Sequence, residues 1–198
     1  MFISFEGIDG CGKSTQARLL AEALLAEGRT VHLTREPGGS PGAEEIRRLL
    51  VEGRADRWSP ETECLLFTAA RRDHVERLIR PALAAGESVV TDRFADSTRV
   101  YQGAARADLA ATVDALHALM IGVEPDRTFV LDMDPAEALA RGTARGGSED
   151  RFEGMGLPFQ TRLREGFLAL AAAHPARIRV IDATGTADAV AARIRAVL

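Results

Sequence analysis

The chain has 198 residues, a net charge of −4 and two cysteines. That length is most simply one domain over residues 1–198, with ample chain for a core. The acidic balance speaks against a general nucleic-acid binder. Two cysteines make neither a disulfide framework nor a zinc spacing, and no apolar run approaches a membrane span.

Met1-Phe2-Ile3 leads straight into a strand-like stretch, so no secretory leader is expected and a cytoplasmic setting follows. Phe2 to Phe5 suits a buried strand. Gly7-Ile8-Asp9-Gly10-Cys11-Gly12-Lys13-Ser14 follows and reads G-x-x-x-x-G-K-S, the phosphate-binding P-loop. Thr15 to Leu25 then has helical character, with Ala17, Leu20 and Leu24 on one face. Strand, glycine loop and helix start arrive in the order the motif needs. Glycines let backbone N–H groups close around phosphate oxygens, and the helix N-terminus adds partial positive charge. Residues Gly7 to Thr15 are therefore the candidate ATP phosphate site. Lys13 is expected to reach the β- and γ-phosphates and Ser14 to hold Mg²⁺. Lys13 is the only lysine, all other cations being arginine. A compact ammonium fits a ring of backbone amides where a planar guanidinium does not. Cys11 lies inside this loop, either as a thiol of lowered pKa or as a small residue filling the turn.

Further strand-like runs span Val31 to Thr34, Ser88 to Thr91, Thr128 to Leu131 and Arg177 to Ile181. Helical patterns alternate with them, which predicts an α/β fold with a five-stranded parallel sheet and helices on both faces. G-x-G-x-x-G is absent, which disfavours a dinucleotide fold. Thr34-Arg35-Glu36-Pro37-Gly38-Gly39 turns at the carboxyl end of the second strand, where ligands of open parallel sheets sit. Arg35 and Glu36 belong either in that crevice or in a surface ion pair. The helical stretch from Glu61 to His74 puts Phe67 and Arg71 on one face, and Pro81 is expected to close it. The pair can stack on a base and hold a phosphate; taken singly they read as core and as solvated charge. Val89 to Arg93 is a buried strand ending in acid then base. Asp92 is placed to act on Mg²⁺ or its water shell and Arg93 to face phosphates, against a structural ion pair. Ser97, Thr98, Tyr101 and Gln102 bring polar groups to the same strand end. Arg141 to Arg151 is rich in arginine and glycine, either a solvated loop or a lid at about 142–153 that can fold over phosphates. His32, His74, His117 and His174 form no metal spacing and receive no role.

Together these motifs resemble the thymidylate kinase family over nearly the whole chain. The resemblance rests on Phe5 to Gly10 with the P-loop, Thr34 to Gly39, Leu66 to Arg71, Asp92-Arg93, Ser97-Thr98 with Tyr101 to Gly103, and Ala144 to Arg151. It implies a P-loop kinase fold with sheet order 2-3-1-4-5, usually a homodimer. The implied reaction moves the ATP γ-phosphoryl group to dTMP, giving dTDP and ADP with Mg²⁺. In family terms Asp9 binds the acceptor 3′-hydroxyl, Phe67 stacks on thymine, and Arg71 and Arg93 hold the acceptor phosphate. Thr98 and Gln102 lie beside the base, Tyr101 crowds the 2′ position, and Glu36 and Ser97 belong to the same dTMP site. Adenine is expected near Arg141 and the turn Asp182-Ala183-Thr184. Some members carry a catalytic arginine directly after the P-loop aspartate. That position is Gly10 here, so the chain resembles the bacterial type whose lid, here Arg145 and Arg151, supplies it.

Three rivals are another nucleoside monophosphate kinase, a deoxynucleoside kinase and a P-loop switch. Paired arginines Arg71 and Arg93 favour a phosphate acceptor over a nucleoside. A switch has no need of a second phosphate-and-base site.

Overall fold

The computed structural model describes residues 1–54, 56–104, 109–145 and 155–198, without the side chains of 104 and 143–145. Strands β1 (Phe2–Glu6), β2 (Val31–Arg35), β3 (Ser88–Asp92), β4 (Arg127–Asp132) and β5 (Ile178–Asp182) form one sheet. Its order is β2-β3-β1-β4-β5, all pairs parallel. Helices cover both faces, so inner strands are buried on both sides and read as near-continuous apolar runs. Phe2, Ile3, Phe5, Val89, Val90, Phe129, Val130 and Leu131 are all buried. The edge strands β2 and β5 are only partly covered, and their sequences, VHLTR and IRVID, are mixed accordingly.

The helices are α1 (Lys13–Ala26), α2 (Pro41–Val51), α3 (Pro60–His74), α4 (Arg80–Ala84), α5 (Ala95–Thr98), α6 (Ala110–Met120), α7 (Pro135–Arg145), α8 (Gly156–Ala173) and α9 (Ala187–Arg195). One apolar cluster joins Phe5, Leu20, Leu24, Phe129, Leu163 and Phe167 across one sheet face. The other joins Phe2, Val75, Ile79, Val89, Phe94 and Ile121, with Phe2 and Phe94 edge to face at 5.0 Å. Ser59 caps α3 by accepting from the Thr62 N–H at 3.2 Å, and Pro60 follows at the first helical position, where its missing N–H costs nothing.

The structure corrects two expectations. Pro81 does not close the helix begun at Pro60. The chain continues through a π-helical segment, Val75–Ile79, into α4. There the Arg80 N–H reaches back five residues to the Val75 carbonyl. The widened turn lets the helix pass through Pro81, whose missing N–H and ring would break regular i→i−4 bonding. All five strands also run one residue past the apolar runs, and each ends in a charged residue: Glu6, Arg35, Asp92, Asp132 and Asp182. Polarity at the ligand-facing edge hides those strand ends from a hydrophobicity pattern. Among the described residues no helix is long and apolar enough to cross a membrane.

Candidate active site

The loop from Gly7 to Gly12 joins β1 to α1 at the carboxyl edge of the sheet. Gly10 has φ 85°, and a Cβ built there would lie 1.9 Å from the Ala138 carbonyl oxygen of α7. No side chain fits at that position without moving α7, which removes the P-loop as a place for an arginine. The Lys13 ammonium folds back onto the loop, donating to the Ile8 carbonyl at 2.7 Å and lying 3.9 Å from Asp9. Ile8 is buried, while Ser14 and Thr15 are exposed at the start of α1. Ser14 Oγ donates to Asp92 Oδ2, the first contact between the loop and the end of β3. The other oxygen, Asp92 Oδ1, is buried and meets no hydrogen-bond donor among the described residues. A hydroxyl beside an unsatisfied carboxylate oxygen at a phosphate loop suits Mg²⁺ and its water shell. No three His, Cys, Asp or Glu side chains cluster as a metal cage among the described residues.

Arg93 follows Asp92 in a left-handed conformation, φ 71°, which costs a non-glycine residue roughly 1–3 kcal/mol. Three bonds hold the turn. The Arg93 N–H donates to the Phe5 carbonyl at 2.9 Å, Thr91 Oγ1 donates to the Arg93 carbonyl at 2.9 Å, and the Phe94 N–H donates to Glu6 Oε1 at 2.7 Å. The conformation turns the guanidinium back over the P-loop. Its Nη1 donates to Ser97 Oγ at 2.9 Å and to the Gly7 carbonyl at 3.4 Å. Its Nη2 reaches Asp9 Oδ1 and, at 3.1 Å, the Tyr101 hydroxyl. Tyr101 in turn donates to Asp9 Oδ2 at 2.9 Å. Burial works to raise the Asp9 carboxyl, but Arg93 and Lys13 outweigh it and hold it below the ordinary carboxylate range. Burial and the neighbouring Asp96 push Glu6 the other way, up to about 8.

A second polar cluster adjoins the first through Phe94 and Thr98. Arg71 of α3 is buried in an ion pair with Glu36, its Nε donating to Oε2 at 2.7 Å. Its Nη2 donates to Thr98 Oγ1 at 3.0 Å and to the Phe94 carbonyl at 3.1 Å. The Nη1 amino group makes no hydrogen bond among the described residues. His74 Nδ1 lies 3.0 Å from Glu36 Oε1, and Nε2 lies 2.9 Å from Thr34 Oγ1. Burial opposes ionisation of Glu36, yet Arg71 and His74 bring its pKa below the ordinary value. Phe67 is half-buried one turn before Arg71, on the same face. Gln102 is buried, its Nε2 donating to Glu63 Oε2 at 3.0 Å, with Oε1 unpartnered among the described residues.

The sequence-predicted residues therefore divide. The Gly7 to Ser14 loop, through Gly7, Asp9 and Ser14, meets Asp92, Arg93 and Tyr101, and Arg93 also bonds Ser97, all in one cluster. Glu36, Arg71 and Thr98 meet in a second, with Phe67 on the same face of α3 as Arg71. Arg35 does not join them: it is exposed and pairs with Glu44 at 3.3 Å. The alternation of side chains at the strand end sends Glu36 inward and Arg35 out. Arg141 is exposed on α7, bound to Glu137 at 2.6 Å. Ala183 is buried, its N–H donating to the Asp132 carbonyl at 2.9 Å. The turn after it is braced by Arg193, which donates to the Asp182 and Thr184 carbonyls at 2.8 and 2.7 Å. Arg151 and residues 146–153 of the lid expected at about 142–153 lie outside the described residues, and Arg145 ends α7 with its side chain undescribed. Cys11 is not an activated thiol. It is buried, and desolvation raises its pKa despite Lys13 and Arg93 nearby. Glu6, Glu63 and His74 were missed. The one signal was spacing on α3, where Glu63 lies four residues before Phe67 and His74 three after Arg71.

The family model described as thymidylate kinase matches residues 5–194. The thymidylate kinase of Dinoroseobacter shibae is 71% identical over 192 residues, covering 97% of this chain and 93% of that protein. That of Ruegeria pomeroyi is 64% identical over 194 residues, covering 98% and 92%. The crystal structure of thymidylate kinase from Ehrlichia chaffeensis superposes with a TM-score of 0.79 at 38% identity, covering 100% of this chain and 97% of that one. A P-loop whose Ser14 meets Asp92 and whose Asp9 meets Arg93, beside a second polar cluster on a 2-3-1-4-5 sheet, agrees with all of these. The chain belongs to the thymidylate kinase family.

Proposed function

We propose that the chain transfers the γ-phosphoryl group of ATP to dTMP, releasing ADP and dTDP. The observation that carries this is a pair of adjoining clusters at the carboxyl edge of the sheet. Arg93 is bound to Asp9 of the phosphate loop and to Ser97, and one residue beyond Ser97, Thr98 is bound to Arg71, which shares a helix face with the half-buried Phe67. A hydrolytic switch has no use for the second cluster.

Phosphoryl transfer leaves little covalent work for protein groups, so catalysis is alignment and charge compensation. The Gly7 to Thr15 loop binds the ATP phosphates, and Lys13 exchanges the Ile8 carbonyl for a phosphate oxygen. Ser14 and Asp92 would hold Mg²⁺, which would supply positive charge to the donor phosphates. Arg93 sits between donor and acceptor and takes the dTMP phosphate, with Ser97 beside it. Asp9, ionised and anchored by Tyr101, accepts the acceptor 3′-hydroxyl. Tyr101, rigid against Phe159 and Phe167, crowds the 2′ side of the sugar. Phe67 stacks on the base. Glu36 already meets the charge of Arg71. We therefore turn the free Nη1 of Arg71 toward the base edge, rather than to the acceptor phosphate expected from the sequence. Arg71 then offers a donor and Gln102 Oε1 an acceptor, with Thr98 between them, which together suit the adjacent C=O and N–H of thymine. Arg145 and Arg151 meet the transition-state charge that a P-loop arginine cannot, given Gly10 against Ala138. Adenine rests by Arg141 and Ala183.

Exposed Leu65, Leu119 and Met120 on α3 and α6 support a homodimer, and the substrates place the work in the cytoplasm. Initial rates of ADP release with dTMP, dUMP, dCMP and thymidine test the reading. dTMP is expected to be the best acceptor and thymidine inert. ADP release at one rate with and without any acceptor would refute it.

A further inference from the structure

Two contacts tie α3 to the helical stretch after β3: Arg71 to Thr98 and Gln102 to Glu63. Glu63, Phe67 and Arg71 succeed one another at intervals of four and so share a helix face. Phe67 therefore lies between the two contacts, and whatever stacks on it faces both. Glu63 and Gln102 are buried, at 0% and 1% exposure.

A primary amide has two nearly isosteric ends of opposite hydrogen-bonding character. Nothing in the shape of the pocket decides which end of Gln102 points at a base. The Glu63 contact does. The carboxylate accepts the Nε2 hydrogen at 3.0 Å, so Oε1 is the end left open, buried and unpartnered among the described residues. A buried acceptor with no donor is unfavourable until a ligand supplies one. A ligand presenting an acceptor there would face lone pair against lone pair.

We propose that Glu63 is a specificity-determining positioning residue, which by holding the Gln102 amide nitrogen commits Gln102 to accept from the N3–H of thymine and to reject the bare N3 of cytosine. Glu63 touches no substrate and acts through Gln102. The inference rests on the acceptor-site reading above. It goes beyond it by giving the discrimination to a side chain outside the pocket.

The test is the ratio of kcat/KM for dTMP over dCMP, in the wild type, Glu63→Gln, Glu63→Ala, Gln102→Leu and the Glu63→Gln/Gln102→Leu double variant. A glutamine at 63 can donate as well as accept, which frees the Gln102 amide to turn. A methyl at 63 admits water with the same consequence, so either variant suffices if the other folds poorly. The ratio is expected to fall about tenfold or more in each, as befits one mismatched buried hydrogen bond, while KM for ATP stays within about twofold. In the Gln102→Leu background the change at 63 is expected to leave the ratio where Gln102→Leu alone puts it. A purely structural Glu63 would lower rates for both acceptors alike and keep the ratio, and that result would overturn the proposal. So would a fall in ratio that adds to that of Gln102→Leu. If the wild type fails to prefer dTMP, the acceptor-site reading itself is lost, which is a different outcome.

Discussion

Replacing Glu36 by Gln isolates the charge of the buried pair that anchors Arg71. The glutamine oxygen keeps a contact to Arg71 Nε. Its amide faces His74 Nδ1, which the other imidazole tautomer accepts while Nε2 donates to Thr34 Oγ1. The hydrogen bonds survive and one charge disappears, leaving a guanidinium at 5% side-chain exposure without its partner. Removing one member of a buried pair costs about 3–5 kcal/mol, and the retained bonds put this case near 3. With an unfolding entropy of about 2.1 cal/mol/K per residue, 198 residues give roughly 0.4 kcal/mol/K, so Tm drops by about 7 °C. The pH dependence has a definite sign. The Glu36 pKa is lowered in the fold, so its contribution is complete above the ordinary value of 4.5 and is lost as pH falls through the lower folded value. Calorimetric melts at pH 7 and at successively lower pH are expected to show the full gap at neutrality and a closing gap below 4.5. A Tm change under about 2 °C at pH 7, or a gap constant into acid, would refute the reasoning.

Gly10→Ala is expected to abolish turnover and lower Tm, because φ 85° and the Ala138 carbonyl both exclude a Cβ; thermal melts and ADP release check this together. Asp92→Asn is expected to raise the Mg²⁺ concentration for half-maximal rate by about tenfold, since it removes a full charge from the carboxylate that holds Ser14 through Oδ2 and leaves Oδ1 unpartnered among the described residues; a magnesium titration of initial rate reads it. Arg145→Ala and Arg151→Ala are expected to lower kcat far more than they raise the Kd for dTMP, each by less than the roughly 10³–10⁵ of a complete arginine finger. Single-turnover rates for both variants check this, and near-normal transfer in both would leave the charge to Lys13 and Arg93.

What was legible in the sequence was what is local. The P-loop needs glycines, lysine and serine at fixed spacing within one turn, and those residues are consecutive. The strand-helix alternation follows from apolar runs that a two-sided parallel sheet requires. Strand ends were hidden because Glu6, Asp92 and Asp182 stand just where hydrophobicity stops. Pro81 misled because a π-helical turn, visible only in hydrogen bonding, carries the helix through it. Arg35 and Glu36 were indistinguishable as neighbours until the side-chain alternation was fixed in space. Glu63, His74 and Ala138 act on partners far along the chain: Glu63 meets Gln102, His74 meets Glu36, and Ala138 closes over Gly10. Such contacts exist only once the fold is made, and no pairwise pattern in one sequence announces them.

The central claim is that the γ-phosphoryl group passes directly from ATP to an acceptor held by Arg93 and the Phe67 pocket. Incubation with γ-labelled ATP, Mg²⁺ and dTMP, followed by separation of products, tests it most directly. Label is expected in dTDP, in proportion to ADP formed and only when dTMP is present. Label released as inorganic phosphate at a rate indifferent to dTMP would contradict the account.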